Sequence, residues 1–137
     1  METASIWPVI VASIAAFAIG AVWYSPLLFG KEWMALVGAT EKDVAEAKAK
    51  GMTKSYIAQL VITFITFIVM HFAISAIGAR TTLDGAFIAL VAWVGFAVPN
   101  AVGGMLWEKK SFKYALITSI SVLLCWVVGG AIIAGWN

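Results

Sequence analysis

Residues 56–77, YIAQLVITFITFIVMHFAISAI, run for 22 positions without an aspartate, glutamate, lysine or arginine. A helix that crosses a bilayer needs about 20 predominantly apolar residues. Three further stretches of this kind flank the first: Ile6 to Phe29, Gly85 to Leu106 and Tyr114 to Trp136. The whole chain is 63% hydrophobic and 12% charged, with a mean hydropathy of +0.98. Such a composition excludes an ordinary water-soluble domain. The expected fold is an all-α membrane protein, a four-transmembrane-helix bundle forming a single domain over residues 1–137. Only a connector from Gly30 to Ser55, a tight turn from Gly78 to Asp84 and a short loop from Trp107 to Lys113 lie between spans.

Lysine and arginine favour short cytoplasmic loops. Lys31, Lys42, Lys48, Lys50 and Lys54 lie in the first connection and Lys109, Lys110 and Lys113 in the third, against Arg80 alone on the opposite side. This bias predicts a multi-pass protein with both termini outside, and it argues against insertion in two orientations. Tryptophan and tyrosine prefer the interfaces. Trp7 and Trp136 mark an outer level, whereas Trp23, Tyr24, Tyr56, Trp107 and Tyr114 mark an inner one, in agreement with the charges. Glu2 stands where a signal peptide carries basic residues, and the first apolar stretch is long, so a retained helix is expected there. The lone cysteine, Cys125, permits no intrachain disulfide. A net charge of +2, with the connector lysines interleaved by Glu41, Asp43 and Glu46, offers nothing to nucleic acid.

In the connector, Thr40 followed three residues later by Asp43 has capping-box spacing, and Gly51 supplies a stop. A short cytoplasmic helix of about ten residues is predicted between them. Pro26 should end or kink the first span near the inner surface, and Pro99 should disturb the third about two turns from its inner end.

Lipid provides no hydrophobic drive for helices to associate, so spans pack through small residues. Ala12, Ala16 and Gly20 recur every four residues on the first span, Gly85 and Ala89 on the third, and Cys125 and Gly129 on the fourth. A second small pair on the fourth, Gly130 and Ala134, is offset from the first and suits either intrachain packing or a neighbouring subunit. Polar residues inside a bilayer are where function is sought. Thr63, Asn100 and Ser121 all fall about 10 Å in from the inner aromatic level at ~1.5 Å per residue. They form a candidate polar layer or pore lining, with Asn100 expected to face the bundle and bond a hydroxyl or a carbonyl freed near Pro99. His71, the only histidine, is a candidate pigment ligand, pH-sensitive group or packing residue.

The run Trp23-Tyr24-Ser25-Pro26-Leu27-Leu28-Phe29-Gly30-Lys31, with Trp33-Met34 after it, resembles the domain of unknown function 1761 family of small bacterial four-helix membrane proteins. Gly51-Met52, Trp93-Val94-Gly95-Phe96 and Leu106-Trp107-Glu108-Lys109 are similar to later blocks of that family in the same order, although Lys110 and Ser111 depart from its arginine-proline pattern. The resemblance implies four helices in the bacterial inner membrane, and carries no activity, cofactor or catalytic residue.

No carboxylate lies within a span and no nucleophile, base and acid share one depth, so an enzyme is not expected, nor a cofactor or metal. The first reading is a structural or accessory subunit that assembles through small-residue faces, with itself or in a larger membrane complex. An alternative is a homo-oligomeric channel or carrier for an ion or small uncharged solute constricted at Asn100. A third has His71 holding a haem or other pigment.

Overall fold

The computed structural model describes residues 5–136, so Glu2 lies outside the described residues. Helices follow one another in the order α1 (Trp7–Trp23), α2 (Gly30–Val37), α3 (Glu41–Lys50), α4 (Thr53–Ile77), α5 (Thr82–Ala92), a π-helical segment (Trp93–Ala97), α6 (Val98–Trp107) and α7 (Phe112–Gly135). Helix α5, the π segment and α6 form one continuous 26-residue rod. This rod, α4 and α7 are long and apolar enough to cross a membrane, and α1 is a shorter apolar helix of 17 residues.

Local chemistry sets the ends. Pro8 sits in the first turn of α1, where its missing N–H has no intrahelical role. Thr40 and Asp43 close the expected capping box: Thr40 Oγ1 accepts from the Asp43 amide at 3.1 Å, and Asp43 Oδ2 accepts from the Thr40 amide at 2.9 Å. Thr81 and Ser111 cap α5 and α7 in the same manner, accepting from the amides of Asp84 and Tyr114. Helix α3 is exposed along its length apart from half-buried Val44, in keeping with a solvated connector.

Helix α1 ends six residues earlier than the apolar run that contains it. Ser25 Oγ donates to the Val22 carbonyl at 2.6 Å, the Phe29 amide reaches back to Trp23 O at 3.0 Å, and the Gly30 amide donates to Ser25 O at 2.9 Å. These bonds turn the chain through a corner at Pro26 and start α2 at Gly30. The stretch 24–29, read as helix from hydropathy, is that corner.

Helix α7 is the hub, packing on α1, α4, α5, the π segment and α6, and touching α2. Its contacts depend on missing side chains. Gly85 meets Gly130 backbone to backbone, and a Cβ on Gly85 would run into the Gly130 carbonyl and the Ala134 methyl. Ala89 and Ala134 are fully buried beside them. One residue along α7, the ring of buried Phe67 from α4 fills the space where a Cβ on Gly129 would stand. Against α1, the Cys125 thiol donates to the Ala16 carbonyl at 3.5 Å, over buried Ala12 and Ala16. Both small-residue faces of α7 are therefore used within the chain, one by α4 and α1 and the other by α5. Gly20 is the exception, since nothing lies within 4 Å of where its Cβ would stand.

The core cluster of Val9, Ala12, Ala16, Phe67, Met70, Ile74, Ala89, Ile133 and Ala134 sits in one half of the molecule, at the N-terminal half of α1 and the C-terminal end of α7. Towards the other end α5 gives way to the π segment and α6, neither of which contains a buried residue.

Candidate functional site

Two indole groups tie helices to α7. Trp23 Nε1 donates to Ile117 O at 3.0 Å and Trp93 Nε1 donates to Ser119 O at 2.7 Å. Trp23 also meets Phe29 at a tilt (centroids 4.5 Å apart, planes at 40°) and Tyr24 meets Trp33 edge-on at 5.7 Å. Gly30 is buried under this corner, and a Cβ there would stand 2.5 Å from the Tyr24 carbonyl oxygen. Trp23, Tyr24, Ser25 and Gly30 thus form a joint, each with a backbone or ring contact to keep, while Pro26 and Lys31 are exposed. Leu27 and Leu28 are exposed at the tip of the turn.

The three residues expected to form a polar layer are not brought together. Ser121 is buried, 4% exposed, and its hydroxyl interacts with the Tyr24 hydroxyl and the Cys125 thiol. Thr63 is on α4, where its hydroxyl donates to Gln59 O at 2.7 Å and accepts from Gln59 Nε2 at 3.3 Å. Asn100 is on α6, which packs on α7 and the π segment, and its side chain is exposed with no hydrogen bond to a described residue. The expectation that Asn100 faces the bundle is corrected: it projects from the outer surface of the molecule. Its helical phase relative to α7 is set by the π segment, whose wider turn rotates everything after it.

Three other hydroxyls in the apolar helices are satisfied locally. Ser13, Thr66 and Thr118 each donate to the carbonyl four residues back, at 2.7, 3.0 and 2.9 Å. Hydroxyls bonded in this way face their own helix and have little left for a solute. The amide of Asn100 is the contrast. Just before it, the Val98 amide donates five residues back to Trp93 O. The next residue, Pro99, has no N–H, so in that register the Val94 carbonyl lacks a donor. Val94, Gly95, Phe96, Pro99 and Asn100 are all exposed, and nothing lies within 4 Å of a Cβ placed on Gly95 or Gly103.

His71 lies on α4 with a ring edge towards Phe72, centroids 6.5 Å apart. Its Nδ1 is enclosed and, among the described residues, has no hydrogen-bond partner. A buried polar atom left without a partner costs about 1–3 kcal/mol, whichever ring nitrogen carries the proton. Among the described residues no group of three or more histidine, cysteine and acidic side chains is positioned to hold a metal.

Sequence reading missed the Trp93 bond to Ser119, the Gln59 and Thr63 pair, and the π segment itself. Only the Gly95 and Pro99 spacing signals the last of these, because a proline inside a helix needs the preceding turn to open.

The chain is all-helical among the described residues, organised around one apolar hub helix, and contains three helices long and apolar enough to cross a membrane. The model of the family described as Protein of unknown function (DUF1761) matches residues 7–134, and the chain belongs to that family. No curated protein and no solved structure matches it.

Proposed function

We propose that this is a four-span protein of the bacterial inner membrane with a structural or accessory role, acting by assembly and not by catalysis. Helix α1 is about 26 Å long at 1.5 Å per residue, at the short end of what spans a hydrocarbon core of about 30 Å. Trp7 stands at one of its ends and the Trp23 and Tyr24 pair at the other, as interfacial anchors would. If α1 crosses, both termini and Arg80 share the outer side and the eight lysines share the inner one.

The observation that carries the assembly reading is the outward-facing Asn100 in a molecule whose other membrane-level side-chain amide, Gln59, has a partner in Thr63. An amide facing lipid without a bond is costly, and a neighbouring polypeptide is the ordinary means of satisfying it. The small-residue faces, expected to drive assembly, are occupied within the chain and leave that part to the surface around Asn100. A pore through a single chain gains no support from Ser121, which is buried between helices, or from Thr63, whose hydroxyl is taken.

Two measurements test this reading. Single cysteines at Glu46 and Arg80, in a Cys125→Ser background, should react with a membrane-impermeant maleimide from the inner and outer side respectively. Native mass spectrometry of protein released gently from its own membrane should give an oligomer or a complex with other polypeptides. Labelling of both sites from one side would refute the topology, and a bare monomer would refute assembly.

A further inference from the structure

We infer that two copies of this chain meet side by side through a stripe on the third membrane helix formed by Phe96, Asn100, Gly103 and Trp107, with the two Asn100 amides hydrogen-bonded to each other across a twofold axis normal to the membrane. The inference rests on the assembly reading above and names its interface.

The four residues are spaced 4, 3 and 4 apart, the interval that keeps side chains on one seam of a helix and that helix pairs use for knobs-into-holes contact. Among the described residues none of the four has a side-chain hydrogen bond or ring contact. Phe96 is 76% and Trp107 85% exposed, Asn100 is exposed, and half-buried Gly103 has nothing within 4 Å of where its Cβ would stand. The rest of the same rod shows the contrast, because Gly85 and Ala89 are consumed by α7. The stripe therefore begins where the rod ceases to be buried, at Phe96 within the π segment, and continues along α6.

Two arguments point to a second copy as the occupant. A carboxamide carries both a donor and an acceptor, so it is complementary to itself, and two of them related by a twofold axis form a reciprocal pair. The lysine asymmetry forces every copy into the same orientation, so neighbouring copies are parallel and place Asn100 at equal depth. Equal depth is the condition for an Asn100 pair to form, and a partner with another sequence has no such constraint. Gly103, one turn further in, contributes no side chain and lets the backbones approach, while Phe96 and Trp107 flank the amides above and below. A single asparagine on such a seam fixes register and favours one oligomeric state.

The test is disulfide formation between copies in native membranes, using single cysteines in the Cys125→Ser background. Asn100→Cys and Gly103→Cys should give a cross-linked dimer on mild oxidation, whereas Ile65→Cys and Val69→Cys, exposed on α4, should give little. Replacing Asn100 by Leu should weaken association about 5- to 30-fold, the equivalent of the 1–2 kcal/mol assigned to interhelical polar contacts in model peptides. Asn100→Gln, which keeps the amide, should retain most of it. Cross-linking at 65 or 69 equal to that at 100 would overturn the inference. Dimers that form undiminished with leucine at 100 would overturn it too, while leaving the assembly reading intact; a chain that is monomeric with and without the substitution would overturn both.

Discussion

Replacing Gly129 by valine should separate α4 from α7. The Phe67 ring occupies the space a side chain at 129 needs: three of its ring carbons are the nearest atoms to a Cβ built there, closer than any real contact. Phe67 is 1% exposed, with Met70 and Ile74 buried along the same face of α4, so the ring has nowhere to swing without displacing its helix. Overpacking a filled core costs about 1–3 kcal/mol. Valine recovers only about 0.4 kcal/mol of helix propensity relative to glycine. The net loss should be about 0.6–2.6 kcal/mol, by difference of those two figures. Reversible unfolding in mixed micelles, followed by tryptophan fluorescence, measures it. Gly20→Val is the control, because no atom lies within 4 Å of its Cβ position, and it should change stability by less than about 0.5 kcal/mol. Phe67→Ala should relieve the clash, so the double variant should be more stable than the two single losses predict, by a coupling of about 0.5–3 kcal/mol. Equal losses for Gly129→Val and Gly20→Val, or strict additivity with Phe67→Ala, would refute the packing described.

Trp93→Phe and Trp23→Phe each delete one indole bond to an α7 carbonyl and should cost about 0.6 kcal/mol apiece, the average for membrane hydrogen bonds, measured by the same unfolding. Gly30→Ala should distort the joint between α1 and α2, visible as faster exchange of the Phe29 and Gly30 amides that now bond back to Trp23 and Ser25. The Thr40 backbone and side-chain bonds hold the Asp43 carboxyl below its ordinary value. A lowered folded-state value means the cap stabilises α3 above the unfolded carboxylate pKa of about 3.9 and is lost as pH falls through the folded value. Amide exchange at Thr40 and Asp43 should therefore quicken in that acid window in the native chain, and Asp43→Asn should remove the dependence.

Much of the fold could be read from the residues. Helix α3 runs between Thr40 and Gly51 because a capping box and a glycine stop are local chemistry, legible wherever they occur. The small residues at 85, 89, 129 and 130 identified which surfaces approach closely, but not which helix approaches which. That pairing depends on the arrangement of α1, α4 and α5 around α7, a tertiary outcome. The end of α1 was hidden because residues 24–29 remain apolar through the corner, and hydropathy does not register the reverse bonds to Trp23 and Ser25. Asn100 was expected to face the bundle and is exposed instead. Depth follows from counting residues along a helix, whereas direction follows from phase, and the π segment shifts phase without a unique sequence mark. The motif around Trp23 was visible as a pattern, and its meaning as a joint became plain only from the buried Gly30 and the indole bond to Ile117.

The most direct test is subunit counting in a lipid bilayer, by single-molecule photobleaching of the labelled full chain over a range of protein-to-lipid ratios. The account predicts two-step bleaching that becomes largely single-step with Asn100→Leu, while the unfolding of the monomer is unchanged. Single-step bleaching of the unaltered chain at every ratio would contradict it.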